Sequence, residues 1–549
     1  MTTMKTRALL FGIALGAIAL SSCSNDDNTK DQKEETQGVH FTIIEEGFGA
    51  DTELTRATPS TQPQIIEAGD CEAEISIERA PAEKLVATRA VTTPVHYTIR
   101  AYHNGTLRGE MKGTFTPTGF TPDAGYSAQM ELGRNRTYDF VCFNDKVTPN
   151  GNNLDVTLAN AKDARIGRQS IAIGTTDQTI NLSSKHVGCR VQTQVVAKKN
   201  FPTPLTSTIE SIGATIPQTV SYNPGTNTYT TTATTAMPAT ANNSPATAGF
   251  DPEDGRSYYP SWFGSNYGFI SASDYHYFLP GTDVVNLKLN NLSGTIFWKP
   301  FNMNIAKLST TSRPLEANGS YAAKIRMKAN YTYLFSDGTT GFFRESTQGG
   351  GTKTAVAIVV DATKRMAMAL NDADNGNPHE FSPIDTSTPD IIITPHDDDG
   401  EKLTWDGTTS YDGHTVKANE PTRYPAFYHA AHYTPTLPTG VSITGTLVGK
   451  RWFLPSNTDW KSNLSLNFTD PSLVISGAAY CFGAIINEAL TQVGGKEMED
   501  RYTSSTEFFE GWGHTNYLTG MFIHAYGQYI FITTQYKDST NRIRAFIHY

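Results

Sequence analysis

The chain has 549 residues, enough for three or four domains at roughly 150 residues each. Hydrophobic residues make up 38% and aromatics 11%, which excludes wholesale disorder; only 18% are charged, the balance being filled by Thr, Ser, Asn and Gly, as in extracellular β proteins. A net charge of −10 excludes a basic nucleic-acid footprint, and five cysteines in this length exclude a disulfide-framework miniprotein.

At the N-terminus, Lys5 and Arg7 precede an unbroken apolar run, Ala8–Leu20. The run is shorter than the ~20 residues of a membrane-spanning helix and has the length of a signal-peptide h-region. It closes on Leu20-Ser21-Ser22-Cys23, which resembles a bacterial lipobox: small residues suit the peptidase, and the Cys23 thiol is the expected lipidation site. Residues 1–22 are expected to leave as a lipoprotein signal peptide, with the lipid on Cys23 as the membrane attachment. Residues 23–37 follow as an acidic tether, because Ser24–Glu35 is charged and lacks apolar residues. The Ser and acidic residues after Cys23 also resemble the surface-export signal of Bacteroidetes lipoproteins.

Beyond the tether, helical periodicity is scarce and period-two alternation recurs. Glu72–Glu78 alternates cleanly, and Val95, Tyr97, Ile99 and Ala101 alternate with His96, Thr98, Arg100 and Tyr102. Asn104-Gly105 directly afterwards is a hairpin turn signal. Further strands are expected at Thr137–Phe143, Arg190–Ala197, Val284–Leu289, Gly294–Trp298 and Tyr321–Met327. Short strands punctuated by Gly, Pro and Asn predict a mainly β chain built of sandwiches. Thr219–Ala248, rich in Thr, Ala, Asn and Pro, reads as a surface excursion with little to bury. Thr347–Lys353 marks a boundary or long loop; its glycines lack the spacing of a phosphate loop.

The lipobox, Thr88-Arg89-Ala90, the strand from Tyr97 and the later Gly133-Arg134-Asn135-Arg136-Thr137-Tyr138 together resemble the fimbrillin family of Bacteroidetes pilins, over about residues 38–330. The resemblance implies two tandem transthyretin-like β-sandwich domains, at 90–190 and 191–330, preceded by a propeptide and first-strand region at 38–89. It further implies trimming by an arginine-specific protease, with Arg89 and then Arg56 as the expected sites. Trimming removes a first strand, here Glu72–Glu78, and leaves a groove that a neighbouring subunit fills. An extended peptide seated there satisfies the exposed backbone groups and the apolar slot together.

The C-terminal third has a different texture. Ala355–Val360 is a continuous apolar run of buried-strand type, and Ala484–Leu490 has helical spacing closed by Gly494-Gly495. The order Trp452-Phe453-Leu454-Pro455-Ser456, a short helix, Tyr502-Thr503-Ser504-Ser505-Thr506-Glu507, then Arg544-Ala545-Phe546 resembles the "major paralogous" domains of bacterial surface proteins. This implies an α+β C-type-lectin-like domain over 331–549. Trp452, Leu454 and Pro455 read as core, and Ser504–Glu507 as a run satisfying backbone groups around a turn.

No catalytic constellation stands out. H-E-x-x-H, G-x-S-x-G and C-x-x-C are absent, and the copper chemistry of formylglycine generators needs a cysteine pair where this region holds only Cys481, read as a buried apolar thiol. His429 and His432 read as a surface pair lacking a third metal ligand, and the partial calcium-loop signals at Asp372–Gly376 and Asp397–Gly400 lack the closing glutamate. No enzyme activity, cofactor or built metal site is therefore expected, while calcium dependence of the kind the C-type-lectin resemblance implies stays open. Trp512, between Gly511 and Gly513, is the candidate exposed ligand contact. A Cys142–Cys189 pairing stays open, as does the state of Cys71. Together these features predict a surface-exposed fimbrial subunit of the outer membrane, of tip-adhesin type, with other fimbrial subunits and a surface glycan or protein as partners. The alternatives are a lipid-retained anchor subunit and a glycan-binding lipoprotein of a nutrient-uptake system.

Overall fold

The computed structural model describes residues 35–49, 64–69, 71–80, 91, 93–197, 200–247, 269–296, 299–383, 390, 399–460, 474–475, 478–479, 481–509, 518–526 and 529–549, with the backbone alone for those in 474–485 and 508–534. The chain is mainly β, as its alternation predicts, and helices are short. Among the described residues no helix is long and apolar enough to cross a membrane.

Three strands precede the first predicted hairpin: β1 (Thr36–Glu45), β2 (Gln64–Ala68) and β3 (Cys71–Arg79). They do not stay together. β1 enters an eight-stranded sheet, while β2 and β3 form the edge of a five-stranded sheet built otherwise from residues 189–329. In the eight-stranded sheet, Val95–His103 turns into Thr106–Thr116 through Asn104 and Gly105 at φ 51° and 75°, the paired left-handed conformation of a tight hairpin. β1 runs parallel to Gln178–His186 on one side and antiparallel to Met130–Gly133 on the other. Its inward residues Val39, Phe41 and Ile43 are buried with Tyr97, Ile99, Phe140 and Leu182.

The five-stranded sheet has Cys189–Ala197 parallel to Ser320–Ala329 at its centre. It shares a core with Thr206–Ser211, Leu287–Ile296 and Lys299–Ile305 of a second sheet. The separate strands expected at Val284–Leu289 and Gly294–Trp298 are one strand, Leu287–Ile296, entered through a single 3-10 turn that the Asp283 side chain caps at Val285 N–H. The Thr219–Ala248 excursion is also structured. Ile216–Asn223 and Thr228–Thr235 pair as a hairpin, and the first of them pairs with Asn153–Thr157. Val220 and Tyr222 are buried, while Thr228–Thr235 is largely exposed, so the stretch buries one alternating strand and presents the other to solvent.

In the C-terminal third a six-stranded sheet runs in the order Thr340–Phe342, Thr332–Phe335, Ala355–Asp361, Met366–Ala369, Phe546–His548, Trp452–Phe453. Thr347–Lys353 is thus a loop between two strands of one sheet. The expected helix is present at Gly483–Thr491 and its terminus carries Gly494 at φ 81°. Trp452 and Leu454 are buried as predicted. This region is packed directly on the preceding one: the apolar core continues from Ile325 and Met327 to Tyr333, Ile358, Trp460 and Leu490, and Tyr333 Oη donates to the Ala489 carbonyl at 2.6 Å.

Candidate functional site

Cys23, Arg56, Arg89 and Trp512 all lie outside the described residues. The strands upstream of Arg89, however, are described, and their seating defines what trimming there would expose.

β3 lies between β2 and Ser320–Ala329. Strict alternation gives it two chemistries. Cys71, Ala73 and Ile75 point into the core at 3% exposure or less, whereas Glu72, Glu74 and Glu78 face outward onto a basic row of the neighbouring strand. Lys324 and Arg326 each meet Glu78 at 2.7 Å, and Lys328 meets Glu74 at 2.8 Å. Burial works against ionisation of Glu78, yet hydrogen bonds and charge from Lys324 and Arg326 hold its carboxyl below the usual range. These pairs are partly open to solvent, so each contributes little and the row mainly sets register. The far end of the hairpin is held from the C-terminal region, where Arg344 Nε donates to Glu72 Oε2 at 3.1 Å.

β1 is bound more deeply, with main-chain partners along both edges. Tyr97 Oη donates to Glu45 at 2.7 Å, and Arg165 Nη1 donates to the Glu46 carbonyl at 2.7 Å. Phe48 then stacks on His186 with ring centroids 3.7 Å apart.

The sequence motifs of the C-terminal region are structural. Arg544 is fully buried, ion-paired to Asp372 at 2.8 Å and donating to the Leu370 carbonyl at 2.7 Å. Asp459 Oδ2 accepts from the main-chain N–H of Gly400 and Ser456 at 3.0 and 2.9 Å, tying Trp452–Phe453 to the helix Gly400–Trp405. Ser504–Glu507 does not form a turn. It is a bulged stretch of the strand Asp500–Phe509, with Ser504 and Ser505 fully buried and Glu507 6% exposed. Burying a glutamate there demands a cation, and Lys537 supplies it at 2.8 Å. Spacing along the chain carries no trace of that partner.

His429 and His432 do not form a pair. The helix Pro425–Ala431 ends before His432, which stacks on Tyr428 at 4.2 Å. His429 instead stacks on His379 at 3.8 Å, and with Asp374 these residues bring three potential metal-donor atoms within 4.8 Å of one another. Burial and the neighbouring His379 hold the His429 imidazole below its usual pKa, in the neutral form a metal requires. His379 Nε2 and Asp374 Oδ2 are already hydrogen-bonded at 2.8 Å, so an ion would have to break that contact to enter. Spacing signals neither partner of His429, because Asp374 and His379 lie some fifty residues before it in sequence.

The sequence matches no protein-family model and no curated protein. Among solved structures, a fimbrial protein from Bacteroides ovatus aligns over 94% of this chain and 99% of its own, at 12% identity and a TM-score of 0.20. A fimbrial protein from Bacteroides vulgatus aligns over 44% of this chain and 93% of its own, at 12% identity and a TM-score of 0.24. A candidate cell adhesion protein from Bacteroides ovatus aligns over 53% and 92%, at 10% identity and a TM-score of 0.27. Superpositions this loose leave the chain's own residues as the ground for a functional reading.

Proposed function

We propose that this chain is a surface-exposed fimbrial subunit, exported as a lipoprotein through Cys23 and matured by arginine-specific cleavage at Arg89, with Arg56 as the secondary site. In this reading two transthyretin-like sandwiches carry a C-type-lectin-like domain that presents the binding surface, as in a tip adhesin. The observation that supports it is the seating of β3. Its inner face is apolar and its outer face is held by half-exposed ion pairs, so a strand of the same alternation from another subunit can take its place. Cleavage at Arg89 separates β1, β2 and β3 from the rest of the chain at a single bond. At the other end, Phe546–His548 is paired along both edges and is not available as a donor strand.

N-terminal sequencing of the cell-surface form tests the maturation step. A chain beginning at Ala90 or Ala57 supports it, while a chain retaining lipidated Cys23 assigns the protein to the anchor role instead. Immunogold labelling separates the remaining readings. Label at fibre ends supports the tip position, and uniform surface label without fibres points to the glycan-binding lipoprotein.

A further inference from the structure

Lys537 is a fully buried cation packed between two carboxylates. It follows the strand Tyr529–Tyr536, and its side chain is 0% exposed, against 7% for Asp390 and 0% for Glu507. Lys537 Nζ donates to Asp390 Oδ2 at 2.5 Å and to Glu507 Oε1 at 2.8 Å. Asp390 is held from three further directions. Tyr424 Oη donates to its Oδ1 at 2.8 Å, its own main-chain N–H donates to Glu507 at 2.9 Å, and its carbonyl accepts from Tyr411 N–H at 3.1 Å. Beside them Lys417, 1% exposed, donates to Ser410 Oγ at 2.6 Å. Sealed ion pairs of this kind are seldom more stabilising than an apolar packing of the same volume, so simple stability is a weak account of the cluster.

We propose that Lys537 and Asp390 condense within the folded chain to form an intramolecular isopeptide bond, with Glu507 as the catalytic proton carrier. The amine and the carboxyl are already in contact and immobilised, which replaces a bimolecular encounter by a preorganised one. Glu507 takes a proton from Nζ, and the neutral amine attacks Asp390 Cγ. The Tyr424 hydroxyl, bonded to Oδ1, faces the oxygen on which negative charge gathers in the tetrahedral intermediate. Glu507 returns its proton to Oδ2 and then relays a second proton from the cationic nitrogen to the same oxygen, so that the Cγ–Oδ2 bond breaks as water departs and a neutral amide remains. Overall the ammonium gives two hydrogens to the carboxylate oxygen that leaves, one Nζ–Cγ bond forms, and no oxidant or other co-reactant is consumed. Burial raises the pKa of Glu507, which suits a carboxyl that must hold a proton and give it back. The same burial excludes the bulk water that would favour hydrolysis.

The bond would join Asp390 to a residue 147 positions later, fastening the C-terminal strand region to the segment that precedes the helix Gly400–Trp405. This inference does not depend on the fimbrial reading, since it needs only the three buried side chains.

Peptide mapping by mass spectrometry of the denatured full-length chain tests it. The expected result is one branched peptide joining the Asp390 and Lys537 segments, lighter by one water than the two linear peptides together, with Lys537 refractory to an amine reagent after denaturation. The Glu507→Gln chain should yield the two linear peptides and a labelled Lys537. Wild-type chain that gives linear peptides and full labelling of Lys537 overturns the proposal, and this holds even if the variant fails to fold. A branched peptide at undiminished yield from Glu507→Gln overturns the role given to Glu507.

Discussion

Arg344, in the loop after Thr340–Phe342, reaches back to Glu72 at the start of β3, with its Nη2 2.9 Å and its Nε 3.1 Å from the same carboxylate oxygen. One residue of the C-terminal region thereby holds the hairpin that lies upstream of the expected cleavage site. Arg344→Ala should loosen that hairpin and destabilise it by about 1 kcal/mol, the scale of a half-exposed charged hydrogen bond. Limited proteolysis should then cut at Arg79 several-fold faster than in the wild-type chain, with the rest of the digestion pattern unchanged.

β1 contributes through burial more than through charge. Phe41 is 6% exposed and meets Phe140 edge-to-face at 5.3 Å. Phe41→Ala should cost about 3–5 kcal/mol, from lost transfer energy and the cavity left behind. Urea unfolding followed by near-UV circular dichroism measures this, and a loss under about 1 kcal/mol would mean that β1 is not seated as described.

A pH dependence follows from His186. Phe48 covers the ring, and Arg165 Nη2 donates to its Nε2 at 2.8 Å, so the imidazole is neutral and acts as an acceptor. Burial first, then the charges of Arg165 and Arg190, lower its pKa to about 3. The folded value lies below the unfolded one of about 6.5, so this contribution is complete above about pH 6.5 and drains away as pH falls towards 3. Between those limits the wild-type chain should lose on the order of 3 kcal/mol more than His186→Gln does, by chemical denaturation at a series of pH values. Equal slopes for the two chains would remove His186 as the cause.

Arg544 presents the opposite case, a buried charge whose loss leaves the buried Asp372 with only the longer 3.4 Å contact from Arg542. Asp372 is 5% exposed and has Arg544 as its closest cation at 2.8 Å. Arg544→Ala should cost about 3–5 kcal/mol, and Arg544→Lys should recover only part of it because an ammonium lacks the planar fork that also binds the Leu370 carbonyl. Thermal unfolding of the two variants against wild type checks both the size and the order.

Cys142 and Cys189 lie in different cores and form no disulfide. Burial pushes the Cys142 thiol up to about 12 and raises Cys189 as well. Native chain should resist alkylation at both positions and react at both once unfolded, and reductant should leave the melting temperature unchanged. Cys481 stands apart from this prediction, since its side chain lies outside the described residues.

Local features were legible because they depend on near neighbours. The alternation of Glu72–Glu78, the turn at Asn104-Gly105, the apolar run Ala355–Val360 and the helix ahead of Gly494 each obey rules set within a few residues. Elsewhere the missing information lay far along the chain. The Thr-rich stretch Thr219–Ala248 reads as idle because its partner strand Asn153–Thr157 lies far upstream, and Ser504–Glu507 reads as a turn because Lys537 lies thirty residues on. Alternation in β3 established a strand with one apolar and one acidic face. Only the tertiary structure decided that the acidic face meets Lys324, Arg326 and Lys328 some 250 residues later, since any basic alternating strand would satisfy it equally. The same holds for His379 and Asp374 around His429, and for Asp390 beside Lys537. A sequence states which side chains need burial or a counter-charge, and the folded chain alone brings the particular partners within reach.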